Sequence, residues 1–422
     1  MPAAPSLLIV PYRSKTGKLY SQIPTSGAGD FTVTRNTEAR RFTSAGLIAS
    51  VASGIPRLDY ATSGGTVGCP ALLVEPAGTN LCLQSENFST TWSPNNTVVS
   101  GNVAGTTDPA GGNTADQIFE TAASGNHFLA QTMSITSGTT YVGSVFYKKT
   151  AGSPDWMQVA FSTTGLAGFA NFNLTSGTVG NVFAGATGRI ENYGNGWYRC
   201  TLIQTASASG TSGGPIIVFT NNTNSITRFV SYTGNTATSI YAWGAQLETG
   251  SVATSYIPTT TGTGSRSADV ISVSGAVSGS IGQTEGTIYA EVDYRNFSTE
   301  TQVIIQSLTD TQNRIAIQVF RSGGNNVLQA FAVVSNSQVV NLTYTIPSAG
   351  VYKIAFAYKL NDYQLFVNSV DRGADIIAGV PAMNTIQLGH FATVAQFNDR
   401  IRAAALYTTR LTNAELQSLT TP

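Results

Sequence analysis

Glu291 and Asp293 are the two side chains whose types and spacing come nearest to bond-breaking chemistry. They sit in the alternating stretch 286–294, G-T-I-Y-A-E-V-D-Y, where residues two apart project from the same face of a strand. Hydrolysis of a glycosidic bond requires two carboxyl groups flanking it, roughly 5–9.5 Å apart. Acids on a strand surface are more often solvated or ion-paired, and that is the favoured reading of this pair.

Other chemistries have less to work with. His127 and His390 are the only histidines, neither lies in a Cys or Ser motif, and no G-x-S-x-G elbow occurs. Cys69, Cys82 and Cys200 are an odd number without metal-ligand spacing, so a zinc site and a disulfide framework are both unsupported. Calcium would require loop carboxylates and carbonyls. Asp371, Asp375 and Asp399 are the candidates for it, although no D-x-D-x-D-G loop is present. No cofactor is expected, with calcium the single metal left open.

Sugar recognition makes different demands: an aromatic face for the apolar side of a pyranose and a few hydrogen-bonding side chains at its rim. Of the four tryptophans, Trp197 (N-G-W-Y-R-C) and Trp243 (Y-A-W-G-A-Q-L) read as core residues. Trp156 follows the turn Gly152-Ser153-Pro154-Asp155 and is the best exposed platform. Tyr193, flanked by Asn192 and Asn195, is a second, and Trp92 is a third candidate. Burial is the competing reading for each of them.

The elements that must carry these residues are strands. Only 10% of the 422 residues are charged, 41% are hydrophobic and 43 are glycine, a composition suited to many short strands joined by tight turns. The segment 351–369 spells a complete hairpin. Tyr352, Ile354, Phe356 and Tyr358 alternate along one face, Asn361-Asp362 supplies the turn, and Tyr363, Leu365 and Val367 alternate back. Thr412-Asn413-Ala414-Glu415 has capping-box spacing and predicts one short helix. The formal net charge is zero, so no basic surface is available for a phosphate backbone and no nucleic-acid partner is expected. No stretch reaches the roughly 20 apolar residues of a membrane span, and the run Leu7-Leu8-Ile9-Val10 is too short for a secretory core. A soluble product of the cytoplasm without membrane insertion is therefore expected, and the N-x-S/T matches at Asn87, Asn173, Asn296 and Asn341 carry no weight.

Three regions follow from charge and turn patterning. Residues 1–85 hold seven cationic and four acidic side chains, with Arg35, Arg40, Arg41 and Arg57 among apolar stretches as in a docking surface, though solvated charge is the simpler reading. Residues 86–258 hold five cationic and seven acidic side chains and read as a run of short strands. Residues 259–267 read as a linker, with nothing evident to anchor them, and 268–422 as a second strand-rich domain.

Several strings in this order resemble a known class. T-R-N-T-E-A-R-R-F at 34–42, I-P-R-L-D-Y at 55–60, C-P-A-L-L-V-E-P-A-G-T-N-L at 69–81 and E-N-F-S-T-T-W at 86–92 are similar to the N-terminal region of bacteriophage virion appendage proteins. W-G-A-Q-L-E-T-G-S-V-A-T-S-Y-I-P-T at 243–259 resembles the end of a carbohydrate-binding-module-like jelly roll. The pattern from E-G-T-I-Y at 285 to R-L-T-N-A-E-L at 410–416 is similar to laminin-G/concanavalin-like lectin sandwiches. The resemblance implies an all-β chain of two β-sandwich domains, jelly-roll and concanavalin-like, behind a small β-rich N-terminal docking region. It also implies a tail-fibre or head-fibre component that is not an enzyme, located on the virion and assembled as a homo-oligomer, a trimer. Its partners would be other virion proteins through the N-terminal region and a host surface glycan. Concanavalin-like glycosidases carry E-x-D-x-x-E, and here Asn296 stands at the second Glu, which leaves one catalytic acid missing. A purely structural virion role is the first alternative, and a polysaccharide depolymerase using Glu291 and Asp293 is the second.

Overall fold

The hairpin alternation is realised in the computed structural model, which describes residues 4–61, 67–162, 165–275, 278–391 and 395–422. Strands Gly350–Lys359 and Tyr363–Val367 pair antiparallel across a turn in which Asn361 takes φ 57°, a left-handed value that asparagine tolerates. Tyr352, Ile354, Phe356, Tyr358, Tyr363, Leu365 and Val367 all enter one core. The opposite face presents Ala355, Ala357 and Phe366 to the helix Asn413–Leu419, whose Leu416 is fully buried there. Thr412 caps that helix and Glu415 returns the bond to the Thr412 amide, so the capping box is complete.

The chain is nearly all β, and its strands build two sandwiches. In the larger one, one sheet runs in the order Val370–Asp375, Tyr363–Val367, Gly350–Lys359, Glu285–Tyr294, Asp399–Tyr407, Val67–Val74, Arg57–Ala61, with Leu7–Ile9 also pairing on Asp399–Tyr407. The facing sheet runs Ser14–Lys15, Lys18–Leu19, Phe31–Thr34, Val270–Ser274, Thr385–Leu388, Gln302–Asp310, Asn313–Ser322, Asn325–Val334, Ser337–Ile346. Apolar side chains from both inner faces make a single core. The smaller sandwich joins Ser93–Asn95, Phe128–Ala130, Ile216–Phe219, Trp156–Ala160, Phe169–Asn173 and Thr178–Val182 in one sheet. Its second sheet is Thr97–Ser100, Asp116–Glu120, Ser239–Thr249, Thr140–Lys149, Trp197–Thr205 and Ala186–Asn192. No helix among the described residues is long and apolar enough to cross a membrane.

Two features depart from the sequence reading. Residues 1–85 do not stand apart as a docking region, because their strands complete both sheets of the larger sandwich and the hairpin Ala39–Phe42, Ile48–Val51 covers the smaller one. The physical reason is edge closure: open strand edges leave backbone donors and acceptors unpaired, and the N-terminal strands pair them. Residues 259–267 are not a free linker either. Gly264–Arg266 pairs with Gly78–Asn80, and both Thr259 and Arg266 are buried.

Arg266 belongs to a buried ionic cluster that joins the pieces. Asp269 accepts from Arg35 at 3.0 Å and from Arg57, and its second oxygen also takes the Glu75 amide. Glu75 binds Arg57 and Arg266 and receives the amide and hydroxyl of Ser255 at 2.7 Å each. Burial alone would raise the Glu75 carboxyl, but the adjacent Arg266 and Arg57 guanidinium groups overcome it and hold the group below the usual carboxylate range. Arg57 is 0% exposed, so removing it takes one of two guanidinium partners from each of two acids that have almost no access to water. Arg57→Ala is expected to cost about 3–5 kcal/mol in urea unfolding. A fragment of residues 268–422 alone is expected to show no cooperative unfolding transition by circular dichroism, whereas a self-sufficient domain would show one.

Candidate functional site

Trp156 opens the strand Trp156–Ala160 and pairs with Asn173 of Phe169–Asn173, which lies between it and the edge strand Thr178–Val182. Its indole is half-buried and rests on Gly180. A Cβ at position 180 would stand 2.4 Å from Trp156 Cζ3 and 2.3 Å from Asn224 Oδ1, so only glycine leaves room for the ring and the amide together. The loop after Ile216–Phe219, N-N-T-N at 221–224, folds over this corner. Asn222 Oδ1 accepts the amides of Asp155 (2.6 Å) and Trp156 (3.3 Å). Asn224 Oδ1 accepts from Asn181 N (2.7 Å) and Asn171 Nδ2 (3.1 Å), and Asn181 Nδ2 donates to Asn224 O (2.8 Å). Beneath them Gln158 donates to Asn171 at 2.8 Å, within the sheet. Lys149 ion-pairs with Asp155 at the rim, and its hydrogen bond holds the Asp155 carboxyl below its ordinary value. A half-buried aromatic face ringed by exposed amides results, which is the chemistry a polyhydroxylated ligand requires.

The remaining platform candidates lie elsewhere. Trp92 is only 5% exposed, packs edge-on against Phe88 at 4.9 Å and donates Nε1 to Gln84 O, so it is a core residue. Trp197 and Trp243 are core as well, at 1% each. Tyr193 sits on the other sheet of the smaller sandwich, edge-on to Phe146 (4.9 Å) and Phe42 (5.7 Å) beneath the N-terminal hairpin. Burial, with Glu191 adding to it, pushes its phenol up to about 12. Asn192 is exposed but turns inward on its own chain, accepting Gly194 N at 2.8 Å, and Asn195 is a turn residue at φ 49°. The structure therefore does not bring Trp156, Tyr193 and Trp92 together. Sequence reasoning missed Gly180, Asn181, Asn222 and Asn224, although the asparagine-rich run at 221–224 was a visible signal of the last two.

Each of the paired acids meets a cation. Glu291 Oε1 lies 2.9 Å from Arg402 Nε, and Asp293 is gripped by both Nε (2.9 Å) and Nη2 of Arg295. The calcium candidates do not converge. Asp371 accepts from Gln364 and Gly373, Asp375 from Ile377, and Asp399 lies on a different strand, buried. Among the described residues no three metal-ligating side chains of the His, Cys, Asp and Glu types form a group.

Asp399 instead organises the loop that meets the smaller sandwich. Its Oδ2 accepts the amides of Arg295 and Asn296, and the loop then reaches Ser251, whose hydroxyl lies 3.0 Å from Ser298 Oγ and accepts Thr299 N at 3.0 Å. Arg189 donates to Phe297 O at 3.3 Å from the other side. This clasp forms one wall of a groove of about 480 Å³ between the two sandwiches.

No family model and no curated protein matches this chain. Solved structures with some likeness include domain 4 of AbnA, a GH43 extracellular arabinanase from Geobacillus stearothermophilus, in complex with arabinotriose. It has 16% identity and a TM-score of 0.28 over 36% of this chain and 73% of that one. The CBM40 of Ruminococcus gnavus IT-sialidase has 17% identity and a TM-score of 0.25 over 33% and 84%. A toad ovary galectin in complex with N-acetylgalactose has 8% identity and a TM-score of 0.21 over 31% and 89%. At TM-scores below 0.3 these likenesses carry no functional weight for this chain.

Burial pushes the Asp399 carboxyl up to about 7, against the opposing pull of Arg400 and the two backbone amides. Because the folded-state value lies above the unfolded one, the folded chain holds this proton more tightly. Its contribution to stability is fully present near pH 4 and is lost as pH rises through about 7. Asp399→Asn removes that proton. The stability of wild type relative to the variant is therefore expected to fall by about 1–4 kcal/mol between pH 4 and pH 8 in urea titrations. A difference that stays flat across this range would refute the assignment.

Proposed function

We propose that this chain is a non-enzymatic fibre component of a bacteriophage virion that attaches to host surface glycans through its β-sandwiches. The observation that carries the glycan part is the Trp156 corner, where a half-buried indole on Gly180 is bordered by the amides of Asn181, Asn222 and Asn224. Stacking of an apolar sugar face on the indole, with hydroxyls bonded to exposed amides, gives a weak single contact. Several copies on one homo-oligomeric appendage, taken here as a trimer, would add these contacts into useful avidity. The ion pairs that engage Glu291 with Arg402 and Asp293 with Arg295 support binding over hydrolysis, since both carboxylates are already occupied by cations of the same chain. The virion setting is supported by the strings at 34–42, 55–60, 69–81 and 86–92.

Purified chain is expected to bind intact host cells saturably, with binding abolished by periodate treatment of the cells and weakened at least tenfold by Trp156→Ala. Absence of binding from the folded oligomer would replace this reading with a purely structural virion role. Release of reducing ends from a host polysaccharide would replace it with a depolymerase.

A further inference from the structure

We infer that the groove between the two sandwiches is a second binding site, selective for a short uncharged oligosaccharide. The inference rests on the glycan-binding reading above but on different residues. The groove, about 480 Å³, is of the size that encloses small ligands. Ser251 and Val252 line it from the smaller sandwich, and Ser298, Thr301, Gln396 and Asn398 from the larger.

Two of these side chains are left incomplete. Gln396 Nε2 and Asn398 Oδ1 are buried without a hydrogen-bond partner among the described residues, and both residues are 6% exposed. A buried amide atom in that state costs about 1–3 kcal/mol until something satisfies it. The backbone around them is anchored: Val303 N donates to Ala395 O at 2.9 Å, Phe397 N to Gly389 O at 2.8 Å, and Gln302 Nε2 to Phe397 O. The turn is thus held while one donor and one acceptor, two residues apart in the groove wall, are left unsatisfied.

A donor and an acceptor on one turn suit hydroxyl groups, each of which can accept one hydrogen bond and donate another, and neighbouring sugar hydroxyls offer both repeatedly. Charge narrows the class. Among the described residues Glu300 is the only ionisable side chain lining the groove and no cation lines it, so a uronic or sialic acid would meet a carboxylate and no counter-charge. With no aromatic platform among the described lining residues, affinity here comes from hydrogen bonds.

The test is an array of neutral and acidic glycans probed with the intact chain as wild type, Gln396→Ala, Asn398→Gly and Trp156→Ala. Asn398 sits at φ 52°, where glycine is at ease, so that variant removes the acceptor without straining the turn. A group of neutral glycans is expected to keep its signal in Trp156→Ala and to lose it at least tenfold in both groove variants. Groove variants that bind every glycan as wild type does, while Trp156→Ala does not, would overturn the groove and leave the Trp156 surface standing. Preference of the groove-dependent signal for acidic glycans would also overturn it. A wild type that binds no glycan would remove both.

Discussion

The architecture depends on a buried cluster of charges. Arg35, Arg57 and Arg266 meet Glu75 and Asp269 with almost no solvent access. Desolvating five ionic groups is unfavourable, and their mutual attraction recovers it only in a geometry that satisfies most of the donors and acceptors. That condition selects a single arrangement of the segments that supply them. Residues 35, 57 and 75 come from the N-terminal strands, Ser255 from the end of the smaller sandwich, and Arg266 and Asp269 from the approach to the larger. A slip in any one of these segments would leave a buried charge without its partner.

Hydrogen bonding extends the same junction beyond the ionic groups. Asn80 Nδ2 donates to Ala245 O and Ile257 O, while its Oδ1 accepts Leu247 N and Cys82 N. One amide therefore fastens the N-terminal segment to both the last strand of the smaller sandwich and the chain leaving it. Glu248 does similar work within 248–254 by taking the amide and hydroxyl of Thr254, and Arg199 fixes Thr254 O at 2.7 Å. These contacts determine where the Ser251 clasp lands on Ser298, and hence the shape of the groove.

Much of the fold was legible because period-two alternation survives wherever one face of a sheet is buried. The 351–369 hairpin, its turn, the capped C-terminal helix and the burial of Trp197 and Trp243 all follow from local pattern. What local pattern does not contain is partner choice across long sequence distances. Arg57 and Arg35 read as exposed charge because nothing near them announces Asp269, some two hundred residues away. The T-T-T-G-T-G stretch reads as a linker because pairing with Gly78–Asn80 leaves no trace in composition. The Trp156 corner was half visible. The indole follows an obvious turn, but its floor at Gly180 and its amide rim depend on which strand becomes its neighbour.

The strings at 34–42, 55–60, 69–81 and 243–259 that carry a resemblance include the same residues that make the junction: Arg35, Arg57, Glu75, Asn80 and Ser255. Residues that would be hard to replace for reasons of buried charge are thus the ones carrying the resemblance, and they set how the sandwiches are joined more directly than what they bind. The proposed contacts lie outside that set, on the 221–224 loop, on Gly180 and on the 395–398 turn. Such a division permits the surface loops to vary with the ligand while the junction holds the sandwiches at a fixed angle. Fixed geometry matters for multivalent attachment, because avidity is gained only when several weak sites reach their ligands at once and is lost when their spacing wanders.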